Sequence, residues 1–74
     1  MALIEVASEV AGTVWLVETE LGQDLAEGDA VVVLESMKME IPVEAPRSGR
    51  LVELRVAKDD PVAEGQVVAV LETS

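Results

Sequence analysis

The chain has 74 residues, a net charge of −10, and neither cysteine nor histidine. This length allows one small domain, predicted to span residues 1–74, and the missing cysteines exclude a disulfide framework and thiolate chemistry. Without histidine the chain lacks the commonest metal ligand and the commonest general base, so we expect neither a metal site nor a catalytic centre. Trp15 is the one aromatic residue, and an acidic chain without stacking aromatics is not expected to bind nucleic acid.

Hydrophobic residues make up 50% of the chain, which favours a folded domain over disorder. No apolar run is longer than that at residues 30–34, which is far too short to span a bilayer. The first residues lack the basic region of a signal peptide. We therefore expect a cytoplasmic protein that does not bind membranes.

The sequence contains two copies of one unit. Shifting it against itself by 37 residues, half of 74, gives ten identical pairs without a gap. The triplet AEG at residues 26–28 recurs at 63–65, and Gly12 aligns with Gly49. Because the glycines and the triplets keep one offset, a duplication explains the pattern better than a chance similarity of valine-rich strands.

Each unit has the pattern of β-strands. Six short stretches rich in β-branched residues are predicted as strands, and turn residues separate them: residues 3–7, 13–17, 31–36, 39–43, 51–56 and 67–71. Pro42 falls inside one stretch and predicts an edge strand or a bulge, and residues 25–27 and 62–64 are each predicted to form a tight turn. No stretch has helical periodicity with a cap. We expect an all-β fold, a flattened barrel or sandwich (a barrel-sandwich hybrid) of two antiparallel sheets related by a pseudo-twofold axis.

The repeat gives the stretch ESMKME, residues 35–40, a defined place. The first unit continues through Met37 and Lys38 into the second unit, whereas the second unit ends at Ser74. The joint between units therefore occurs once as a closed hairpin and once as the two ends of the chain. We expect these ends to lie together, opposite Lys38.

Met37 and Lys38 are predicted to be the central pair of that hairpin. Tight hairpin turns favour Asn-Gly or Asp-Gly, because their central residues need a positive φ, so Met-Lys breaks a local rule as functional sites do. Methionine is also usually a buried residue. Two interpretations stay open on the residues alone. Either the tip presents Lys38 as a functional group, or the methionines plug the ends of the core around an ordinary solvated lysine.

Lys38 is the better modification site of the two lysines. The other, Lys58, lies in the polar turn AKDDP, where solvation explains its presence. Lysine ammonium groups ordinarily keep their protons at neutral pH, so Lys38, with Glu35 and Glu40 nearby, is not expected to be a self-activated nucleophile. An enzyme would have to present an activated acyl group to Lys38 and remove its proton.

These residues resemble the biotinyl/lipoyl attachment domains, and more closely the small biotin carboxyl carrier proteins of biotin-dependent carboxylases and transcarboxylases. The family's signature, Glu-Ala-Met-Lys-Met, stands here as Glu35-Ser36-Met37-Lys38-Met39, and the resemblance covers nearly the whole chain. The chain lacks the inserted "thumb" loop of some bacterial members and is similar to the thumbless type. Lipoyl domains usually carry Asp-Lys-Ala at the hairpin.

The resemblance implies that biotin is joined by an amide to Lys38. A biotin protein ligase or the partner enzymes would recognise the flanking residues, which are Glu35, Ser36, Met37, Met39 and Glu40. A biotin carboxylase would carboxylate the biotin, and the carboxybiotin arm would shuttle CO2 to a carboxyltransferase that passes it to an acceptor. The chain would thus be a carrier and not an enzyme.

Some residues depart from the family pattern. Ser36 replaces the usual alanine, and residues 8–11 replace Ala-Pro-Met-Pro, which leaves the local path of the chain open there. Asp59-Asp60 replaces the usual Gly-Asp, so that turn is expected to be tighter or altered. A lipoyl carrier domain and an unmodified interaction domain of the same fold stay as alternatives. Either a free-standing protein or a piece of a larger carboxylase would fit the sequence.

The acidic residues are unevenly distributed. Residues 1–37 contain eight acids and no lysine or arginine, whereas residues 38–74 contain seven acids and five bases. An acidic side would steer the carrier towards basic partner surfaces. The other explanation, which the pattern favours, is that the acids simply keep a small hydrophobic domain in solution.

Overall fold

The computed structural model describes residues 2–73, and within that range the chain forms eight strands and no helix. The strands are β1 (Ala2–Ala7), β2 (Gly12–Val17), β3 (Asp24–Leu25), β4 (Ala30–Ser36), β5 (Met39–Glu44), β6 (Gly49–Leu54), β7 (Pro61–Val62) and β8 (Val67–Thr73). A shift of 37 residues superimposes the limits of β1–β4 on those of β5–β8. The sequence repeat is therefore a structural repeat.

The strands form two antiparallel sheets of four strands each. One sheet has the order β1-β8-β6-β3, and we call it the terminal sheet; the other has the order β5-β4-β2-β7, and we call it the hairpin sheet. The 37-residue shift converts one order into the other, so the predicted all-β fold of two antiparallel sheets with an internal pseudo-twofold repeat is confirmed. Each sheet contains strands of both halves, so the extra acids of residues 1–37 are not gathered on one sheet.

All six predicted strands are present, but two short ones were missed. Residues 25 and 62 were predicted to begin tight turns, and that part of the prediction is wrong. Leu25 and Val62 are buried strand residues that pair with Gly49 in β6 and Gly12 in β2, respectively. The turns follow two residues later. The predicted strand at 51–56 is also displaced, because β6 ends at Leu54.

The core lies between the sheets, and repeat-related residues fill it. The buried pairs are Val6 and Val43, Val14 and Leu51, Leu25 and Val62, Val31 and Val68, Val32 and Ala69, and Leu34 and Leu71. Burying each such valine or leucine contributes about 1.5–3 kcal/mol, which is the main stabilising term available to a chain without disulfides or metals. Within residues 2–73, no buried side-chain nitrogen or oxygen lacks a hydrogen-bond partner.

The connection between β1 and β2 has a defined path. The buried Ser8 hydroxyl donates to the carbonyl of Val10 at 2.6 Å and accepts the amide of Val10 at 3.2 Å. The Ser8 amide also donates to the Gln66 carbonyl at 2.9 Å. These bonds fix a bend at the position where the family's proline-rich stretch is replaced.

Pro42 lies in an edge strand, as its sequence position predicts. It belongs to β5, which pairs only with β4 in the hairpin sheet. A proline without an amide hydrogen is tolerated there because the outer edge of the strand has no ladder partner.

The described ends of the chain, Ala2 and Thr73, lie at the opposite end of the molecule from the hairpin, as predicted. Ala2 pairs with Thr73 at one end. From there β1 runs towards the other end of the molecule, where Gly12 begins β2 next to Glu35. The longest dimension of the molecule is 36 Å. In the part of the chain that the structure covers, no helix is long and apolar enough to cross a membrane.

The turn that carries Asp59 is not altered, contrary to the expectation from its sequence. Asp59 has a φ of 75°, and its repeat equivalent Gly22 has a φ of 87°. Both turns close with the same backbone bond at 3.1 Å, from Gln23 to Glu20 and from Asp60 to Ala57. Aspartate is one of the few residues that adopt positive φ with modest strain, so the turn keeps its geometry without glycine.

We expect Asp59→Gly to raise the free energy of unfolding by about 0.5–1 kcal/mol, because glycine adopts this φ without strain. The reverse change at the equivalent position, Gly22→Asp, should lower it by a similar amount. Urea denaturation of the two variants and the wild type measures both effects. A loss of stability in Asp59→Gly would show that the Asp59 side chain makes a stabilising contact.

Candidate functional site

The stretch ESMKME forms the tip of the hairpin between β4 and β5. Ser36 pairs with Met39 as the last pair of the ladder, which leaves only Met37 and Lys38 to connect the strands. Their φ values are 51° and 65°, the left-handed values that a type I′ turn requires at both central residues. The predicted conflict between turn geometry and residue type is therefore real, because neither side chain favours this conformation.

The methionines do not plug the core. Met37 is 92% exposed and Met39 is 62% exposed, so the interpretation that they close the ends of the core is wrong. Water-exposed methionines are unusual, because this side chain is apolar and is normally buried. The tip thus holds a lysine between two apolar side chains that the fold does not use for packing.

The structure brings all six predicted site residues together at this tip. Glu35 and Glu40 pair directly across β4 and β5, and both are exposed. Two carboxylates in a directly opposed cross-strand pair repel each other and destabilise the ladder slightly. Ser36 is half-buried beside the turn. The exposed Lys38 makes no salt bridge with any residue between 2 and 73, so its amine is open to solvent.

Gly12 supports the tip from below, a role that sequence reasoning missed. A Cβ on Gly12 would lie 2.7 Å from the carbonyl oxygen of Glu35 and 3.4 Å from the Cβ of Ser36. Only glycine therefore lets β2 approach the base of the hairpin this closely. The alignment of Gly12 with Gly49 was the available signal, since Gly49 has the equivalent contact with the Glu72 carbonyl at 2.8 Å.

The second lysine lies at the same end of the molecule as the first. Its loop is anchored to β2, because the Val14 amide donates to the Asp60 carbonyl at 2.9 Å and the Asp59 amide donates to the Val14 carbonyl at 2.8 Å. Lys58 is exposed in that turn, which the Asp60 carboxylate stabilises by accepting the Ala57 amide at 2.9 Å. A modification experiment has to separate these two lysines.

The arrangement can present an amine but shows no grouping for metal binding. Among residues 2–73, no three acidic side chains converge as potential metal ligands. The tip presents the primary amine of the exposed Lys38 to solvent.

Comparison with known proteins gives a family and close relatives. A family model described as "Biotin-requiring enzyme" matches residues 3–71. The "Biotin/lipoyl attachment protein" of Bacillus subtilis (strain 168) is 42% identical over 69 residues, which are 93% of this chain and 94% of that protein. The "Biotinylated protein TB7.3 homolog" of Mycobacterium leprae is 37% identical over 67 residues, 90% of this chain and 94% of that protein.

The chain also matches small parts of much larger proteins. Pyruvate carboxylase of Bacillus subtilis is 34% identical over 90% of this chain, which spans 6% of that protein. The crystal structure of Kluyveromyces lactis urea carboxylase superimposes with a TM-score of 0.92 at 30% identity, over 97% of this chain and 6% of that one. A single-chain, multi-domain long-chain acyl-CoA carboxylase gives a TM-score of 0.90 at 32% identity, over 97% and 7%.

The family match extends over most of the described residues, and two small relatives are similar along nearly their whole length. The two antiparallel sheets agree with that match. This chain therefore belongs to the biotin/lipoyl attachment family, whose members are carrier domains rather than catalysts and occur in biotin-dependent carboxylases.

Proposed function

We propose that Lys38 is the attachment site of biotin and that residues 1–74 form one biotin carboxyl carrier domain. The observation that supports this most is an exposed lysine, at the tip of a strained two-residue turn, between two exposed methionines. The scaffold gains nothing from that residue choice, because turn residues with less strain exist. A function outside the scaffold explains why a lysine stands there.

Biotin is a better candidate than lipoate. The flanking methionines resemble the signature of biotin carriers, whereas lipoyl domains usually carry Asp-Lys-Ala at this hairpin. The names of several relatives point the same way, since they include a biotinylated protein and a pyruvate carboxylase. One relative is named as a biotin/lipoyl attachment protein, so an experiment has to include both cofactors.

The residues at the tip fit the group. The open amine of Lys38 can form an amide, and no neighbouring side chain blocks the approach, because Met37 and Met39 both project into solvent. When bound, biotin supplies the carboxyl-carrying chemistry between two enzymes. The residues of this chain hold the attachment point away from the scaffold and offer apolar contacts to the proteins that act on it.

The proposed partners are a biotin protein ligase, a biotin carboxylase and a carboxyltransferase. A covalent arm keeps the carried group near its target sites at about millimolar effective concentration, provided that both sites can be reached. The described chain ends, Ala2 and Thr73, lie at the far end of the molecule and leave the tip clear. The cytoplasmic location predicted from the sequence stays a prediction.

Intact-mass measurement after co-expression with a biotin ligase tests the proposal. We expect one biotinyl group on the wild type and on Lys58→Arg, and none on Lys38→Arg, because arginine keeps the charge but cannot form the amide. A parallel co-expression with a lipoate ligase should give a lower yield. An adduct on Lys58, or no adduct at all, contradicts the assignment of Lys38, and a predominant lipoyl adduct contradicts the assignment of biotin.

Met37→Asn should separate recognition of the tip from its stability. Asparagine adopts the left-handed conformation more readily than methionine, so the free energy of unfolding should rise by about 0.5–1 kcal/mol. The rate of biotin attachment should fall, because the exposed thioether is lost as a contact for the ligase. Met39→Asn is the matched control, because Met39 has ordinary strand geometry and should gain no stability. Faster attachment in Met37→Asn would show that the ligase does not use this side chain.

Gly12→Ala and Gly49→Ala test whether the hairpin has to be held in place. Both changes force a Cβ to within 3 Å of a backbone carbonyl, and each should cost about 1–3 kcal/mol of stability. Only Gly12→Ala displaces the hairpin that carries Lys38, so only this variant should also slow biotin attachment under conditions where both are folded. Equal attachment rates in the two variants would show that the ligase tolerates a displaced tip.

A further inference from the structure

The outer face of the hairpin sheet carries an apolar patch close to the tip. Trp15 is 41% exposed and Leu16 is 38% exposed, although both lie in β2. β2 has a bulge at these two residues. Leu16 pairs with Val33 of β4, and Trp15 is the extra residue of the bulge. Val33 in turn pairs with Pro42 of β5. We call Trp15, Leu16, Val33 and Pro42 the tryptophan patch.

The internal repeat provides a control for this patch. Its equivalents on the terminal sheet are Val52, Glu53, Val70 and Glu5, so charged residues replace Leu16 and Pro42. There, Arg55 hydrogen-bonds to Glu53 and lies 4.0 Å from Glu5. The hydrogen bond that Arg55 donates to the Glu53 carboxylate raises the pKa of Arg55 above its ordinary value, and this face carries an exposed ion-pair network.

The fold therefore does not require a fully apolar outer face at this position, because Glu53 and Glu5 stand at two of the four equivalent positions. The same bulge and the same strand register exist on both sheets, but only the hairpin sheet combines them with an indole and a leucine. A half-exposed tryptophan next to an exposed leucine on this face indicates a contact with something that the bare scaffold lacks.

The patch lies within reach of an arm on Lys38. From the Ser36–Met39 pair to the Val33–Pro42 pair is three residue steps, and β2 is the next strand beyond β4. At about 3.3 Å per residue and about 4.8 Å per strand, the straight-line distance from the Ser36–Met39 pair to Trp15 is roughly 11 Å. A lysine joined to the five-carbon acid tail of biotin places about eleven bonds between Cα and the ring system, which extends to about 14 Å.

We infer that the biotin ring system on Lys38 folds back over the hairpin sheet and packs against the indole of Trp15. This inference rests on the proposed attachment of biotin to Lys38. The fused rings have an apolar flank and a thioether sulfur, both of which form favourable contacts with an aromatic face. A thumbless carrier thereby holds its cofactor on the sheet itself. The contact is intramolecular, so the tether supplies the high effective concentration that a weak stacking interaction needs.

The protein is well suited to a direct test, because Trp15 is its one tryptophan and it has neither tyrosine nor phenylalanine. All aromatic emission therefore reports on the patch. Apo and fully biotinylated proteins, separated and verified by mass, are compared by acrylamide quenching of Trp15 fluorescence. We expect biotinylation to reduce the quenching constant about twofold, because stacked rings would cover much of the exposed indole. Nuclear Overhauser contacts between indole and biotin ring protons should appear in the same sample.

The control variants separate this inference from the proposed function. After treatment with biotin ligase, Lys38→Arg should show the same acrylamide quenching constant for Trp15 as the apo protein. Trp15→Val, which introduces the residue of the equivalent position, should still accept biotin but lose the contacts and narrow the biotin proton resonances. Biotin on Lys38 with unchanged quenching and no contacts would overturn the inference while leaving the attachment site intact. Protection of Trp15 by added biotin ligase alone, with no effect of biotinylation, would identify the patch as a protein-docking surface and would also overturn it.

Discussion

Neither half of this chain can complete a sheet alone, because the two halves exchange strands. The rest of the structure depends on this exchange of strands. Each sheet takes two strands from residues 1–37 and two from residues 38–74. The buried valine and leucine pairs of the core therefore form only when both units fold together. A small protein without disulfides gains its stability in this way, and one consequence is a stiff connection between the units. That connection is the hairpin that presents Lys38.

The repeat separates what the scaffold needs from what function adds. Where both copies carry the same residue type, the reason is structural, as with Gly12 and Gly49 under their neighbouring carbonyls. Where the two copies carry different residue types in the same backbone geometry, the scaffold does not determine the residue type. Something other than the scaffold then explains the residue. One such difference, the tryptophan patch, lies on the same sheet as the Met-Lys turn. The two proposed functional features therefore share one sheet of a nearly symmetric body.

The sequence predicted the repeat, the sheets and the position of the hairpin, because alternating apolar residues and aligned glycines determine them locally. It did not predict β3 and β7, since strands of two residues have no periodicity and exist only through pairing with distant partners. The sequence also left open whether Met37 and Met39 are buried, because methionine suits both a protein core and an exposed contact surface. Gly12 was visible only as a repeated glycine. Its close approach to Glu35 depends on the three-dimensional course of β2.

A carrier has to hold its cofactor firmly enough to protect it and loosely enough to hand it over. Aromatic contacts of the proposed kind contribute about 0.5–1.5 kcal/mol, which corresponds to about 70–90% of the arms resting on Trp15. A partner enzyme that binds the freed arm then pays at most about a tenfold loss in affinity for releasing it. A thumb-like enclosure would hold the cofactor more tightly and would raise that penalty. If the proposed contact forms, one half-exposed indole would hold most of the arms on the sheet at a release penalty of at most about tenfold.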